Sequence, residues 1–485
     1  MKRYSARSNR PNVTRPKCIL PVTSRADLLE RLEARQLMSA AAYSSTYVYV
    51  ESNNPAQGQN AILGYEENAA TGALTPLPNG RFLTGGTGFR NAGPVLGPDD
   101  SDKEIIVTPD QHYLFAVNQG SNTVSEFAIK PDGSLQLQSD APFSSGGTQP
   151  VSLSFSNDQL FVLNRGNSAE GTAGTIAPDL TAFFVGEDGQ TFPVPNSTVN
   201  FPLNLSPAQV LTSADGKFTF VDDFATPSNL KVSLANTIEP FVDDGGGLLT
   251  AVKNGAAGLP ANPPLVLGLV EDPVHHIIYS GQAPSGGVAT FTYSDSTGKV
   301  SYVGSVASKG EATCWLNISP NGKYLYGTDS ASDAISVYSL TNPLKPALIQ
   351  EFYLNGPTVA PGASTAAGPT SEDFQFSFDP SGNYLYVLNH TVSDSFQQGN
   401  QLHTIEVGSN GKLSESGSPL FFSPAYVPGK AHVLGLAVAT EANPAGYVQT
   451  ILSQLFATTS FSTGNNAAIE SLIDSLLQDI VTSAY

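Results

Sequence analysis

Short apolar runs alternate with polar turns along most of the chain, and the pattern repeats. In its clearest copy, residues 315–326, an apolar run ends at Ile318, Ser319-Pro320-Asn321-Gly322 turns the chain, and Lys323-Tyr324-Leu325-Tyr326 returns. The unit recurs at 374–386, with weaker copies at 105–115, 151–161, 209–220 and 266–279. Pro, Asp, Asn and Gly suit the turns, while aromatic and β-branched residues suit a pleated, partly buried surface. A third strand is predicted at 123–129, 287–293 and 334–340.

With Tyr49, Phe115, Phe161, Phe220, Tyr279, Tyr326 and Tyr386 as landmarks, the repeats lie 66, 46, 59, 59, 47 and 60 residues apart. That is the scale of one four-stranded propeller blade with insertions. Residues 47–50 are a second strand without a first, and residues 433–438 a first strand without a second. Pairing them closes an all-β, seven-bladed propeller and removes the free sheet edge that invites aggregation. The predicted organisation is a leader at 1–42, a ring at 43–440 and a helical tail at 441–485.

Composition agrees with many short strands and turns. Of the 485 residues 13% are charged, against ~25% in an ordinary globular chain, and there are 45 Gly and 35 Pro. The net charge of −19 conceals an asymmetry: residues 1–40 carry nine Lys/Arg and three Asp/Glu, leaving 14 basic against 39 acidic groups in the rest. An acidic ring excludes nucleic acid as its expected partner. The two cysteines, Cys18 and Cys314, make neither a disulfide framework nor a zinc site, and Cys314 reads as a small buried hydrophobe.

The ends differ from the ring. Residues 1–23 are basic and lack an apolar run of signal-peptide length, after which Ser24, Asp27, Leu28, Leu29, Leu32 and Leu37 predict a short capped helix. No stretch reaches the ~18–20 apolar residues of a membrane span. At the far end Ile469, Leu472, Ile473, Leu476, Leu477 and Ile480 fall on one helical face.

Two resemblances follow. Leu32-Glu33-Ala34-Arg35-Gln36-Leu37-Met38-Ser39-Ala40 resembles the Leu-Glu-Pro-Arg-x-Leu-Leu-Ser-Ala leader of many bacterial exported and surface proteins, with Ala34 and Met38 as departures. It implies an exported, extracytoplasmic or cell-surface protein. The motifs at 318–326 and 378–389 resemble the seven-bladed lactonase family, which includes 6-phosphogluconolactonase-like proteins and carboxymuconate cyclases. That resemblance implies hydrolysis of a sugar or muconate-type lactone by His and Arg residues around the channel. Here Gln149-Pro150-Val151-Ser152 stands where the family has His-Pro-Cys-His, so Ser152 replaces a histidine. Ser330 replaces an arginine, and an Asn-Arg pair occurs instead as Asn164-Arg165.

Propeller geometry brings the ends of second strands and the starts of first strands to one end of the channel. Asn118, Asn164, Arg165, Asp222, Asp223, Asp329, Asn389 and His390 come from the former, and Gln149, Glu311, Glu372, Asp373 and His432 from the latter. Arg165 is a candidate clamp for a carboxylate or phosphate, and His390 or His432 a candidate acid or base. Asn118, Gln149, Ser152, Asn164, Asp223, Asp329 and Asn389 are the remaining ligand-binding candidates. Asn side chains at such places also serve local turns. Asp243-Asp244-Gly245-Gly246-Gly247 lacks the alternating carboxylates of a calcium loop and reads as a turn. No phosphate loop, paired-Cys motif or nucleophile elbow occurs, and no metal or cofactor is called for. The expectation is a monomeric binding module for a small polar ligand or a protein partner; the alternative is a lactone hydrolase with a rearranged site.

Overall fold

The computed structural model describes residues 45–90, 101–167, 174–186, 188–203, 205–224, 236–260, 264–355, 371–391, 399–428 and 431–441. The leader at 1–42 and the apolar helical face between Ile469 and Ile480 lie outside them. Among the described residues no helix is long and apolar enough to cross a membrane.

The strands form seven antiparallel sheets of four or five strands each. Numbering blades in chain order, the first strands are Leu434–Thr440 in blade 1, Ile105–Val107 in blade 2, Pro150–Ser156 in blade 3 and Ser206–Thr212 in blade 4. Leu265–Asp272, Thr313–Ile318 and Ser371–Phe378 begin blades 5, 6 and 7. These strands touch one another in an unbroken cycle, which makes the ring. Thr46–Glu51 lies between Ala61–Glu67 and Leu434–Thr440, with Tyr47 opposite Ala439 and Tyr49 opposite Ala437. The two ends of the repeat thus complete blade 1, as the sequence requires.

The repeated turns share a cause. The first turn residue offers a side-chain oxygen to the amide that opens the second strand: Thr108 to Tyr113, Ser213 to Phe218, Ser319 to Tyr324 and Asp379 to Tyr384. In blade 3 the link is only two residues, Asn157 and Asp158, both at positive φ, the conformation that tight hairpins demand.

The apolar core is divided into clusters that lie chiefly between neighbouring blades. The landmark aromatics are fully buried there, and where they are tyrosines they also latch blades together. The hydroxyls of Tyr49, Tyr279, Tyr326 and Tyr386 donate to the carbonyls of Gly133, Pro343, Gly411 and Gly72 at 2.7, 2.8, 2.8 and 3.1 Å, each in the outer turn of the next blade. Phe115, Phe161 and Phe220 fill the equivalent places without a hydroxyl. Gly133 and Gly72 are fixed by this contact, because both have positive φ and a Cβ would come within 2.3 Å of the Tyr47 ring and 2.4 Å of the Tyr384 ring. Tyr386→Phe should leave the Gly72 carbonyl unpaired at the seam between blades 7 and 1 and cost about 1–3 kcal/mol. The denaturant midpoint measures this; an unchanged midpoint would show that the latch contributes nothing.

Candidate functional site at the channel mouth

Blade 2 departs from the repeat, and the departure shapes the mouth. Its first strand has only three residues; the Glu104 carbonyl just before it still accepts the Val117 amide of the same blade at 3.0 Å, while residues 101–103 bond to other blades. Asp102 donates its amide to Ala208 of blade 4 (3.4 Å), and the Lys103 carbonyl accepts from Leu153 of blade 3 (2.9 Å). Gln375 of blade 7 donates to the Ser101 carbonyl (2.7 Å) and to the Glu104 carboxylate (3.0 Å). Ser101, Asp102 and Glu104 are buried. Burial raises both carboxyls, Glu104 well above its usual range.

The expected residues fall into separate groups. On blade 3, the Arg165 amide donates to the Gln149 carbonyl at 2.9 Å, and Asn164 donates to Asp179 (2.9 Å) and to the Ser145 carbonyl (3.1 Å). Arg165 is 0% exposed. Ser152 accepts from the Val210 amide of blade 4 at 3.1 Å and is fully buried. Asn118 bridges Asn60, Thr84 and Ser125 in blades 1 and 2.

Carboxyls crowd blades 4, 6 and 7. Asp222 accepts three backbone amides, from Ala208, Gln209 and Gly268, and burial still carries it to about 7. Asp223 lies beside Glu239, and Asp329 beside Glu351; burial first, then the neighbouring carboxyl, pushes each Asp well above its ordinary value. Thr313 and Ser336 donate to Asp329, and Ser336 also to Glu351 at 3.2 Å. Asn389 donates to Asp333 at 2.8 Å. Asp373, fully buried, is raised by burial and then by Asp333, Asp329 and Glu372.

The third group joins the histidines. Trp315, Phe374, His390 and His432 form a column of rings with successive centroids 5.3, 4.3 and 5.0 Å apart. Glu372 sits 3.6 Å from His390 Nε2, keeps 22% of its side chain exposed, and is carried to about 7 by burial, against the pull of His432. Glu311 is exposed on the rim.

Other readings of the sequence find their places away from the mouth. Cys314 is buried. Asp243 and Asp244 accept the amides of Gly245 and Gly246, which makes that segment a turn. Among the described residues no group of three His, Cys, Asp or Glu side chains is arranged to hold a metal ion. Glu239, Asp333, Glu351, Gln375 and the segment 101–104 were not singled out in the sequence. The one available signal was the polar run Ser101-Asp102-Lys103-Glu104 ahead of the first strand of blade 2.

Comparison with known proteins places this architecture. The family described as "Lactonase, 7-bladed beta-propeller" matches residues 241–390. No curated protein sequence matches the chain. A Bacteroides fragilis protein provisionally assigned as a 6-phosphogluconolactonase superposes with TM-score 0.59 at 18% identity, over 82% of this chain and 98% of that one. The periplasmic gluconolactonase of Pseudomonas aeruginosa gives 0.59 at 16% identity, over 82% and 99%. A Bacteroides uniformis protein with the same provisional assignment as the first gives 0.56 at 17%, over 80% and 99%. At such identities the solved structures establish the fold. The blade repeat and the closed ring make this chain a seven-bladed propeller, similar to the lactonase propeller family over residues 241–390.

Proposed function

We propose that the ring is an exported binding module that holds a neutral or cationic polar ligand, or a partner surface of that character, at its channel mouth. The observation that carries this is the excess of carboxyls there. Asp102, Glu104, Asp223, Asp329, Glu372 and Asp373 all titrate above their usual range, and Arg165 is fully buried. A phosphorylated or carboxylated lactone would bring further negative charge against groups that already resist ionising. Ser152, at the place of a family histidine, is engaged with Val210 and offers neither a proton acceptor nor a positive charge. Export is supported by the leader-like motif at 32–40.

Hydrolysis is the second reading, and the pair Glu372–His390 favours it. A carboxyl near 7 matches the operating range of a general base, so Glu372 could take a proton from water as the water attacks a lactone carbonyl and the ring C–O bond opens. Assaying 6-phosphogluconolactone, simpler sugar lactones and muconolactones separates the two. The binding reading expects no hydrolysis above background from the native protein, Arg165→Ala or Glu372→Gln. A native kcat/KM well above background that falls roughly a hundredfold or more in Glu372→Gln, the scale of a lost general base, would establish the hydrolase. Loss in Arg165→Ala instead would centre that activity on Asn164 and Arg165.

A further inference from the structure

We propose that a second site, the cleft between blades 6 and 7 at the end of the ring opposite the channel mouth, binds a neutral saccharide unit. It lies where the interblade latch is incomplete. At the seam between blades 7 and 1 two tyrosines of one strand reach the next blade, Tyr384 to the Ala70 carbonyl (2.8 Å) and Tyr386 to Gly72 (3.1 Å). Tyr47 and Tyr49 do the same between blades 1 and 2, at 2.8 and 2.7 Å. Between blades 6 and 7, Tyr326 keeps its bond to Gly411 at 2.8 Å. Among the described residues, however, the hydroxyl of Tyr324 reaches no carbonyl, although it is the counterpart of Tyr47 and Tyr384. The seam opens there into a cleft of about 350 Å³, bounded by the turns at 319–321, 381–383 and 408–409.

The lining names the class of ligand. It carries no charged side chain, in a chain of net charge −19, so it has nothing to select a phosphate, carboxylate or amine. Tyr, Ser, Asn and Gly dominate it. Such surfaces combine rigid aromatic area with adaptable hydrogen bonding, the combination that suits the apolar face and hydroxyl edge of a sugar ring. Asn321 Oδ1 is taken by Ser319 and by the Lys323 amide, which leaves its NH₂ as donor; the Asn383 amide and Tyr324 hydroxyl add donors and acceptors. Pro320 and Val407 are the only aliphatic walls, too little to anchor a peptide side chain. The volume lies at the small end of the ~300–1,000 Å³ range of ligand pockets, room for one or two sugar rings.

The test titrates the full-length protein with methyl glucoside, methyl galactoside, N-acetylglucosamine and cellobiose by calorimetry and ligand-observed NMR, with glucuronate as the charged control. At least one neutral sugar should bind and glucuronate should bind more weakly. Tyr324→Phe should weaken binding roughly two- to tenfold, the worth of one neutral hydrogen bond. Ser409→Trp, on an exposed turn, should fill the cleft and abolish binding without lowering the melting temperature. Failure of every neutral sugar to bind, equal affinity for glucuronate, or binding that survives Ser409→Trp would overturn the proposal. Binding lost in Glu372→Gln but kept in Ser409→Trp would put the sugar at the channel mouth and overturn it as well, leaving the mouth reading intact.

Discussion

A chain begun at Ser45 is expected to melt as the full-length protein does, whereas a chain begun at Ser52 should lose its cooperative transition. The difference between them is Thr46–Glu51, all six residues of which are buried. This strand has a partner on each side, so its removal leaves two unpaired edges within one blade and opens the ring. Burying a large apolar side chain contributes about 1.5–3 kcal/mol, and Tyr47, Val48, Tyr49 and Val50 are each at most 3% exposed. Their sum is comparable to the ~5–15 kcal/mol that separates a folded domain from its unfolded state. Two latches to blade 2 go with them. Residues 1–44 are set apart by basic charge and should not contribute. Thermal scans by circular dichroism of both truncations decide: a loss of stability on removing 1–44 would make that segment structural, and an unchanged transition for the chain begun at Ser52 would show that closure is not what holds the ring.

The ring was legible because its determinants are local and repeated. A turn residue that bonds the next strand's first amide, as Ser319 does to Tyr324, leaves the same mark in four of the repeats. A buried aromatic two residues further on, such as Tyr326, marks the interblade seam. Closure could be inferred because a second strand at the start and a first strand at the end each lacked a partner.

Much of the mouth was not legible, for a topological reason. Its groups come from strands tens to hundreds of residues apart, so their meeting leaves no spacing in the sequence. Asp329 was conspicuous at the end of a second strand, but its partner Glu351 lies on the fourth strand of the same blade, where charge usually means solvent. Gln375 and Glu104 meet across 271 positions. Arg165 stood out as a candidate clamp because it follows Asn164 at the end of a second strand. Whether an arginine faces the channel or the wall depends on side-chain packing between blades, which the repeat does not encode.

Burial of so many carboxyls leads to an unusual pH dependence: the ring should be more stable near pH 5 than at pH 8. A carboxyl whose folded-state pKa lies above its unfolded value binds its proton more tightly in the folded chain. Its contribution is therefore complete below the unfolded value, near pH 4, and is lost as pH rises through the folded value. Glu126, 2% exposed, is carried from 4.5 to about 7 chiefly by burial. At ~1.36 kcal/mol per unit, that one group makes folding about 3 kcal/mol less favourable at pH 8 than at pH 4.5. Glu104, Asp223, Asp329 and Asp373, all raised well above their ordinary values, act in the same direction. Asp373 gives the sharpest test, because it is fully buried and its ionised form has three acidic neighbours. Asp373→Asn keeps the shape and removes the charge. The variant should melt several degrees above the native protein at pH 8 and within a degree or so of it at pH 5, because the native carboxyl is already protonated there. Denaturation followed by fluorescence at both pH values measures the difference. A native ring that gains stability between pH 5 and 8, or an Asn variant that gains nothing at pH 8, would mean that these carboxyls ionise freely in the folded state, and the electrostatic case against an anionic ligand at the mouth would fail with it.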